Sequence, residues 1–100
     1  AVMRRLEAIE LVAALEGLPG WAMRDGKLTR TWRFADFAES FSFMTACALR
    51  IHALDHHPEW SNVYTTVAVE LVTHDAQGVT ARDVELAGIM EALASRYRPG

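Results

Sequence analysis

The sequence predicts an α+β fold in which an antiparallel sheet is covered on one face by three helices. Three segments place apolar residues at intervals of three and four, which is typical of helices. The segments between them alternate or are rich in β-branched residues, and the joints are short and contain Gly or Pro. The predicted order is α-β-β-α-β-(β)-α, where the parentheses mark a segment that forms either one long strand or two short ones, and each helix buries one stripe against the sheet.

The N-terminal part predicts a helix followed by a β-hairpin. Gly17 ends the helix, and Asp25-Gly26 is a strong hairpin turn between strands at 21–23 and 27–34. Arg30 is the one residue that interrupts the alternation of the second strand. The predicted apolar face of the first helix consists of Leu6, Ile9, Val12 and Leu15.

The middle of the chain predicts the central helix. Asp36 and Glu39 resemble a capping box at its start, and Pro58 requires the helix to end near His56. The single Cys47 lies in an apolar helical segment, so we expect a small buried residue and not a reactive thiol. The predicted apolar stripe consists of Phe37, Phe41, Met44, Ala48 and Ile51.

The C-terminal part predicts strand structure over 63–74, a turn over 75–78 and a last helix. Thr80 and Asp83 have the spacing of a capping box for that helix. The expected core contacts of the strand are Val67, Val69 and Leu71. The expected apolar residues of the last helix are Val84, Leu86, Ile89, Leu93 and Tyr97.

Size and composition predict a single domain over residues 1–100 and exclude several classes of function. The chain has 100 residues, of which 51% are hydrophobic, and a formal net charge of −3. Because no basic run occurs, we expect no direct binding of nucleic acid. Charges interrupt every apolar stretch well before the ~20 residues that a bilayer requires, and the first residues lack a secretory apolar region. We therefore expect a cytoplasmic protein that does not bind a membrane.

The histidines are the chemical anomaly of the sequence. His52, His56 and His57 lie within six residues, and His74 follows at the far end of the predicted strand. Because the unperturbed pKa of histidine is near ~6.5, such a cluster can hold one ring protonated and another neutral. A protonated and a neutral imidazole suit the elimination of water, in which an acid protonates a departing hydroxyl while a base takes a proton from the neighbouring atom. Trp60 would supply an aromatic wall for a flat heterocycle.

These residues resemble the signature of the pterin-4a-carbinolamine dehydratases. The central match is the run His56-His57-Pro58-Glu59-Trp60-Ser61-Asn62-Val63-Tyr64, followed by Thr73-His74-Asp75 and then Asp83. Supporting matches are Leu18-Pro19-Gly20-Trp21, Arg30-Thr31-Trp32-Arg33-Phe34, Asp36-Phe37 and Leu86-Ala87. The resemblance therefore covers nearly the whole chain.

The resemblance implies dehydration of a 4a-hydroxytetrahydropterin to the quinonoid dihydropterin, the step that recycles the pterin, without metal or organic cofactor. By the same resemblance His56 matches a histidine in proton transfer, His74 matches its opposite partner, and His57 matches a histidine that mainly holds the pterin. Self-association into a homodimer or homotetramer is also implied.

Three further residues are predicted to bind the substrate by this resemblance. Asp83 matches a carboxylate that orients a histidine or touches the pterin, although a helix cap alone would also explain it. Trp60 matches an aromatic residue at the pocket. His52 stands where the family often has an acidic residue.

Two other functions are compatible with the residues. His52 and His56 are four apart and would share a helix face, so that together with His74 they could ligate zinc in a metal hydrolase. The second alternative is a binding or assembly module, because the family that the sequence resembles includes proteins that bridge dimeric partners and assembly factors of the same fold without dehydratase activity. The full set of motif histidines favours the enzyme.

Overall fold

The elements follow one another in the order α-β-β-α-β-β-α, as the sequence predicts. The computed structural model describes residues 3–97, so the first two and last three residues of the predicted domain lie outside it. Within that range, no helix has the length and apolar character needed to cross a membrane. The elements are α1 (Ala8–Glu16), β1 (Ala22–Arg24), β2 (Lys27–Arg33), α2 (Phe37–Leu54), β3 (Glu59–Val63), β4 (Thr66–Leu71) and α3 (Ala81–Ala94), with short 3₁₀ turns at His74–Ala76 and Ser95–Tyr97.

The four strands form one antiparallel sheet in the order β1-β2-β4-β3. The predicted hairpin between β1 and β2 is confirmed, and Asp25 and Gly26 both have positive φ angles, 51° and 77°. Such angles at both central residues match the right-handed twist of the flanking strands. In this strand order, β1 and β3 are the edge strands of the sheet.

The segment predicted as one long strand or two short ones is a hairpin of β3 and β4. The chain reverses at Tyr64, whose φ is +53°, and the Asn62 amide donates to the carbonyls of Tyr64 and Thr66 at 3.1 and 2.9 Å. The prediction was wrong in two respects. Strand structure begins at Glu59, before Val63, and it ends at Leu71, so that His74 lies in a 3₁₀ turn and not at a strand end.

The core lies between the sheet and the helices. Val67, Val69 and Leu71 are buried there as predicted, and Cys47 is also buried, which raises the pKa of its thiol to about 12. The predictions of core contacts and of a small buried cysteine are confirmed. The largest buried aromatic residues are Trp21, Trp32, Phe34 and Phe43.

The apolar faces predicted for the first two helices were wrong in part, since Leu6, Leu15, Met44 and Ile51 lie in or against the core as predicted. Ile9 is 79% exposed and Val12 61%, while Leu11 and Leu15 pack against the core. In α2 the residues Phe37, Phe41 and Ala48 are exposed, and the helix buries Ser40, Phe43 and Cys47 together with the predicted Ile51. The reason is that α2 carries two apolar stripes. The stripe that includes Phe43 faces the sheet because its ring packs against Trp32 and Phe34, with centroids 4.9 and 5.0 Å apart.

Arg30, the interruption in the alternation of β2, is a polar contact between the sheet and α3. Its Nε donates to Glu91 Oε1 at 3.0 Å, and Trp21 Nε1 donates to the same oxygen at 2.8 Å. Burial raises the pKa of Glu91, but the bonds from Arg30 and Trp21 outweigh it and leave that pKa below its ordinary value. The pair thus joins α3 to β2 across the core.

Candidate active site

The corner between α2 and β3 places the first of the candidate histidines. The helix ends at Leu54, and Asp55 takes a left-handed conformation with φ of 54°. Arg82 of α3 donates from Nη1 to the Leu54 carbonyl at 3.0 Å, which satisfies one of the free carbonyls at the helix end. His56 therefore leaves the helix axis and points toward α3, and the predicted end of the helix near His56 is confirmed.

His56 is held by a buried carboxylate. Its Nε2 donates to Asp83 Oδ1 at 2.5 Å, and Asp83 is fully buried. The second oxygen of Asp83 accepts from the Thr73 hydroxyl and from the Thr80 amide, both at 2.8 Å. The Thr80–Asp83 capping box is thus present, and the same carboxylate also orients His56. Since Nε2 is engaged, Nδ1 is the nitrogen through which His56 can exchange a proton.

His74 lies at the same corner of the molecule. Its side chain is 75% exposed, and its Nε2 is 3.4 Å from Glu59 Oε2. Glu59 follows His56 by three residues, and Thr73, the neighbour of His74, donates to the Asp83 that holds His56. The structure therefore brings His56 and His74 into one neighbourhood through these shared contacts.

The other predicted site residues surround this corner less closely. His57 is exposed, with Nε2 3.8 Å from an oxygen of Asp55. His52 is exposed on the last turn of α2, and within the described range its ring has no hydrogen bond to another candidate residue. Trp60 is partly buried and pairs with Val69 in the sheet.

Glu59 was missed as a site residue by sequence reasoning. From its sequence position alone Glu59 is expected to be a solvated charge, yet its Oε1 accepts from Lys27 Nζ at 2.6 Å while its Oε2 faces His74. The bond from Lys27 is the main cause that lowers the pKa of Glu59 below its ordinary value, and His74 acts in the same direction. The only available signal was its position directly after His-His-Pro.

The ligand set of the zinc alternative is not assembled. Because α2 ends at Leu54, His52 and His56 do not share a helix face. Across residues 3–97, no three His, Cys, Asp or Glu side chains are placed to hold a metal ion.

The outer face of the sheet, away from the helices, forms a trough of about 650 Å³. Glu59 lies on its wall, so that this residue borders both the trough and the histidine corner. None of the four histidines lines the trough. Its floor contains the small residues Ala22, Ser61 and Ala68 and the hydroxyls of Thr29 and Thr31.

The chain matches one known protein family over most of its length. The sequence model of one family, described as Pterin 4 alpha carbinolamine dehydratase, matches residues 4–93. The chain belongs to this family. The family expected from the resemblance is thereby confirmed, and pterin-4a-carbinolamine dehydratases are hydro-lyases, enzymes that eliminate water.

Relatives named as pterin-4-alpha-carbinolamine dehydratases match over most of their length. One from Rhodopseudomonas palustris is 50% identical over 98% of this chain and 99% of the relative. Another from Prochlorococcus marinus is 51% identical over 88% of this chain and 92% of the relative.

Two solved structures share the fold. The transcriptional coactivator/pterin dehydratase from Brucella melitensis is 45% identical, with a TM-score of 0.88 over 91% of this chain and 99% of that chain. A pterin dehydratase-like RuBisCO assembly factor of the alpha-carboxysome has a TM-score of 0.63 at 20% identity, covering 74% and 86% of the two chains. The α+β fold predicted from the sequence is confirmed.

Proposed function

We propose that this protein dehydrates 4a-hydroxytetrahydropterin to quinonoid dihydropterin and water, in pterin recycling, by histidine acid–base catalysis without metal or organic cofactor. Family membership supports the reaction. The observation that carries the mechanism is the pairing of each of two neighbouring imidazoles with a carboxylate at Nε2, His56 with Asp83 and His74 with Glu59. Both rings then keep Nδ1 for proton exchange with one substrate.

The reaction needs one proton delivered and one removed. One imidazole protonates the 4a-hydroxyl, and the bond from carbon to oxygen breaks as water leaves. The other imidazole takes the proton from the adjacent ring nitrogen, whose electrons form the new carbon–nitrogen double bond. Protons and electrons balance without a covalent intermediate, so His56 and His74 suffice as acid and base.

The remaining predicted residues are assigned by position. His57, exposed beside His56, holds the pterin, and Trp60 provides an aromatic wall. His52 is exposed in the last turn of α2, and the family resemblance supports its contact with the substrate. Full burial separates Asp83 from a bound ligand, which favours the orienting role over direct contact with the pterin.

We also propose that the protein forms a homodimer or homotetramer. An exposed apolar surface on α2 supports this: Phe37 and Phe41 are 49% and 56% exposed, their ring centroids are 5.7 Å apart, and Leu49 is exposed on the same helix. Contiguous exposed apolar residues of this kind mark interaction surfaces.

A second candidate is a partner-binding module. It is favoured by the name of the Brucella protein, which joins coactivator and dehydratase, and by the same apolar surface on α2. Tight binding of a partner without acceleration of dehydration would support this candidate over the enzyme.

The test is to generate the 4a-hydroxy intermediate and follow its ultraviolet decay with and without the protein. We expect acceleration by the wild-type protein and a loss of about 10²–10⁴-fold in His56→Ala and in His74→Ala. His57→Ala should mainly raise KM. Circular dichroism establishes that each variant is folded. Wild-type kinetics in all three variants would refute the assignment.

A further inference from the structure

The carboxylate of Glu59 lies between a lysine and a candidate catalytic histidine. Its Oε1 accepts from Lys27 Nζ at 2.6 Å, and its Oε2 is 3.4 Å from His74 Nε2. We infer that Glu59 is a positioning residue for dehydration, which holds the His74 ring and leaves its Nδ1 toward the substrate. This inference rests on the proposed role of His74 in proton transfer.

The orientation of the His74 ring depends on a side-chain contact, because the backbone alone does not fix it. The backbone of the turn is fixed, because Gln77 N donates to the His74 carbonyl at 3.0 Å and Thr73 N donates to the Gly78 carbonyl at 2.9 Å. The side chain, in contrast, is 75% exposed, and Glu59 is its one ion-pair partner among residues 3–97. A catalytic group displaced by about 1 Å can lose about 10²-fold in rate, so an untethered ring would be a poor acid or base.

The sheet fixes Glu59 in turn. Glu59 is the first residue of β3, directly after Pro58, and it pairs in register with Glu70 of β4. Lys27, at the start of β2, reaches across β4 to Glu59 and lies 3.9 Å from Glu70. Because Lys27 occupies Oε1, the other oxygen of Glu59 is directed to His74.

The arrangement repeats that of His56. In both pairs a carboxylate faces Nε2, but Asp83 is fully buried while Glu59 is exposed to solvent. Salt screens exposed pairs and hardly affects buried ones. Only the contribution of Glu59 should therefore weaken as ionic strength rises.

The experiment measures kcat and KM for Glu59→Ala and Glu59→Gln, each in the wild-type and His74→Ala backgrounds. We expect kcat to fall about 10- to 100-fold in the wild-type background with KM nearly unchanged. In the His74→Ala background the same changes should cost nothing further, and the salt dependence of kcat should disappear in both variants. Glu70→Gln is the matched control, since this carboxylate also faces Lys27 without contacting a histidine, and its kcat should equal that of wild type.

Three results would overturn the inference. Wild-type kcat in folded Glu59→Ala and Glu59→Gln, while His74→Ala is slow, removes Glu59 from the mechanism and leaves the proposed function intact. An equal loss of kcat in both backgrounds shows that Glu59 acts independently of His74. Wild-type kinetics in His74→Ala would instead refute the role of His74 and the inference together.

Discussion

At the scale of single residues, the orientation of His56 depends on one buried carboxylate. Asp83 accepts three hydrogen bonds, from His56, Thr73 and Thr80, and so it links the ring to the start of α3. The same residue therefore caps α3 and, in the proposed mechanism, orients the catalytic ring of His56.

Replacing Asp83 by Asn should reduce both contributions, and each has its own measurement. The Asn side chain has only one oxygen, so it cannot accept both from His56 and from the backbone N–H of Thr80. We therefore expect stability to fall by about 1–3 kcal/mol and kcat to fall by about 10²-fold or more. Urea unfolding and steady-state kinetics measure the two effects. Thr73→Val is the control, because it removes one bond to Asp83 but leaves His56 paired. A destabilised Asp83→Asn with wild-type kcat would contradict the role of Asp83.

The corner could be predicted from the sequence because its signals are local. Pro58 and the apolar spacing before it place the end of α2, and the Thr80–Asp83 spacing indicates the cap. The contacts of Glu59 could not be predicted, since its partner Lys27 is 32 residues away and meets it only through the strand order of the sheet.

At the scale of elements, the attachment of α3 to the sheet depends on the Arg30–Glu91 pair and on the turn before β1. Gly20 in that turn has a φ of +90°, and a Cβ there would lie 2.8 Å from Arg30 Cζ. A side chain at position 20 would therefore displace the Arg30 guanidinium that pairs with Glu91.

Glu91→Gln should destabilise the protein in a pH-dependent manner. The pKa of Glu91 is lowered in the folded state, so its ionised form stabilises the fold above the unfolded-state pKa, and this contribution is lost as pH falls through the folded-state pKa. We expect a deficit of about 1–3 kcal/mol at neutral pH that shrinks below about pH 4. Urea unfolding over this pH range measures it, and a deficit independent of pH would contradict the ionic role.

Gly20→Ala should destabilise the protein by about 1–3 kcal/mol, because it strains the backbone and displaces Arg30 from Glu91. Gly88→Ala is the matched control: Gly88 lies in α3 with open space at its Cβ, and the change should stabilise by about 0.5–1 kcal/mol. Thermal unfolding compares the two. Equal stability of both variants would show that the turn does not require glycine.

Element order and the hairpin could be predicted because periodicity and turn residues determine them. The buried face of α2 could not, since both of its stripes are apolar and the choice depends on Trp32 and Phe34 from elsewhere in the chain. In α1 apolar residues also occur on more than one face, and Leu11 and Leu15 pack against the core while Ile9 and Val12 are exposed.

At the scale of the whole molecule, the apolar stripe of α2 that the sheet does not cover is the surface that we propose for self-association. Phe37→Ser combined with Phe41→Ser should lower the mass in solution, because it removes the paired rings exposed on α2. Light scattering after gel filtration measures the mass. Val12→Ser is the control, because Val12 is an exposed apolar residue on another helix. The mass of this variant in solution should equal that of the wild-type protein. An unchanged mass in the double variant would exclude this surface.

The site itself is a product of the complete fold, since α2, β3, the turn at His74–Ala76 and α3 each contribute one part of it. Arg82 ties α2 to α3, and Thr73 ties the turn to Asp83. His56 and the turn that carries His74, though 18 positions apart in the sequence, are thereby tied to the same buried carboxylate, as the proposed joint action of the two rings requires.

The most direct test of this account is a double-variant cycle on His56 and His74, read from the rate at which the 4a-hydroxy intermediate decays. If both rings serve one elimination, the protein lacking both should be hardly slower than the slower single variant, because residues that act as a unit are strongly non-additive. Losses that multiply would show that the two histidines act independently and would contradict the account.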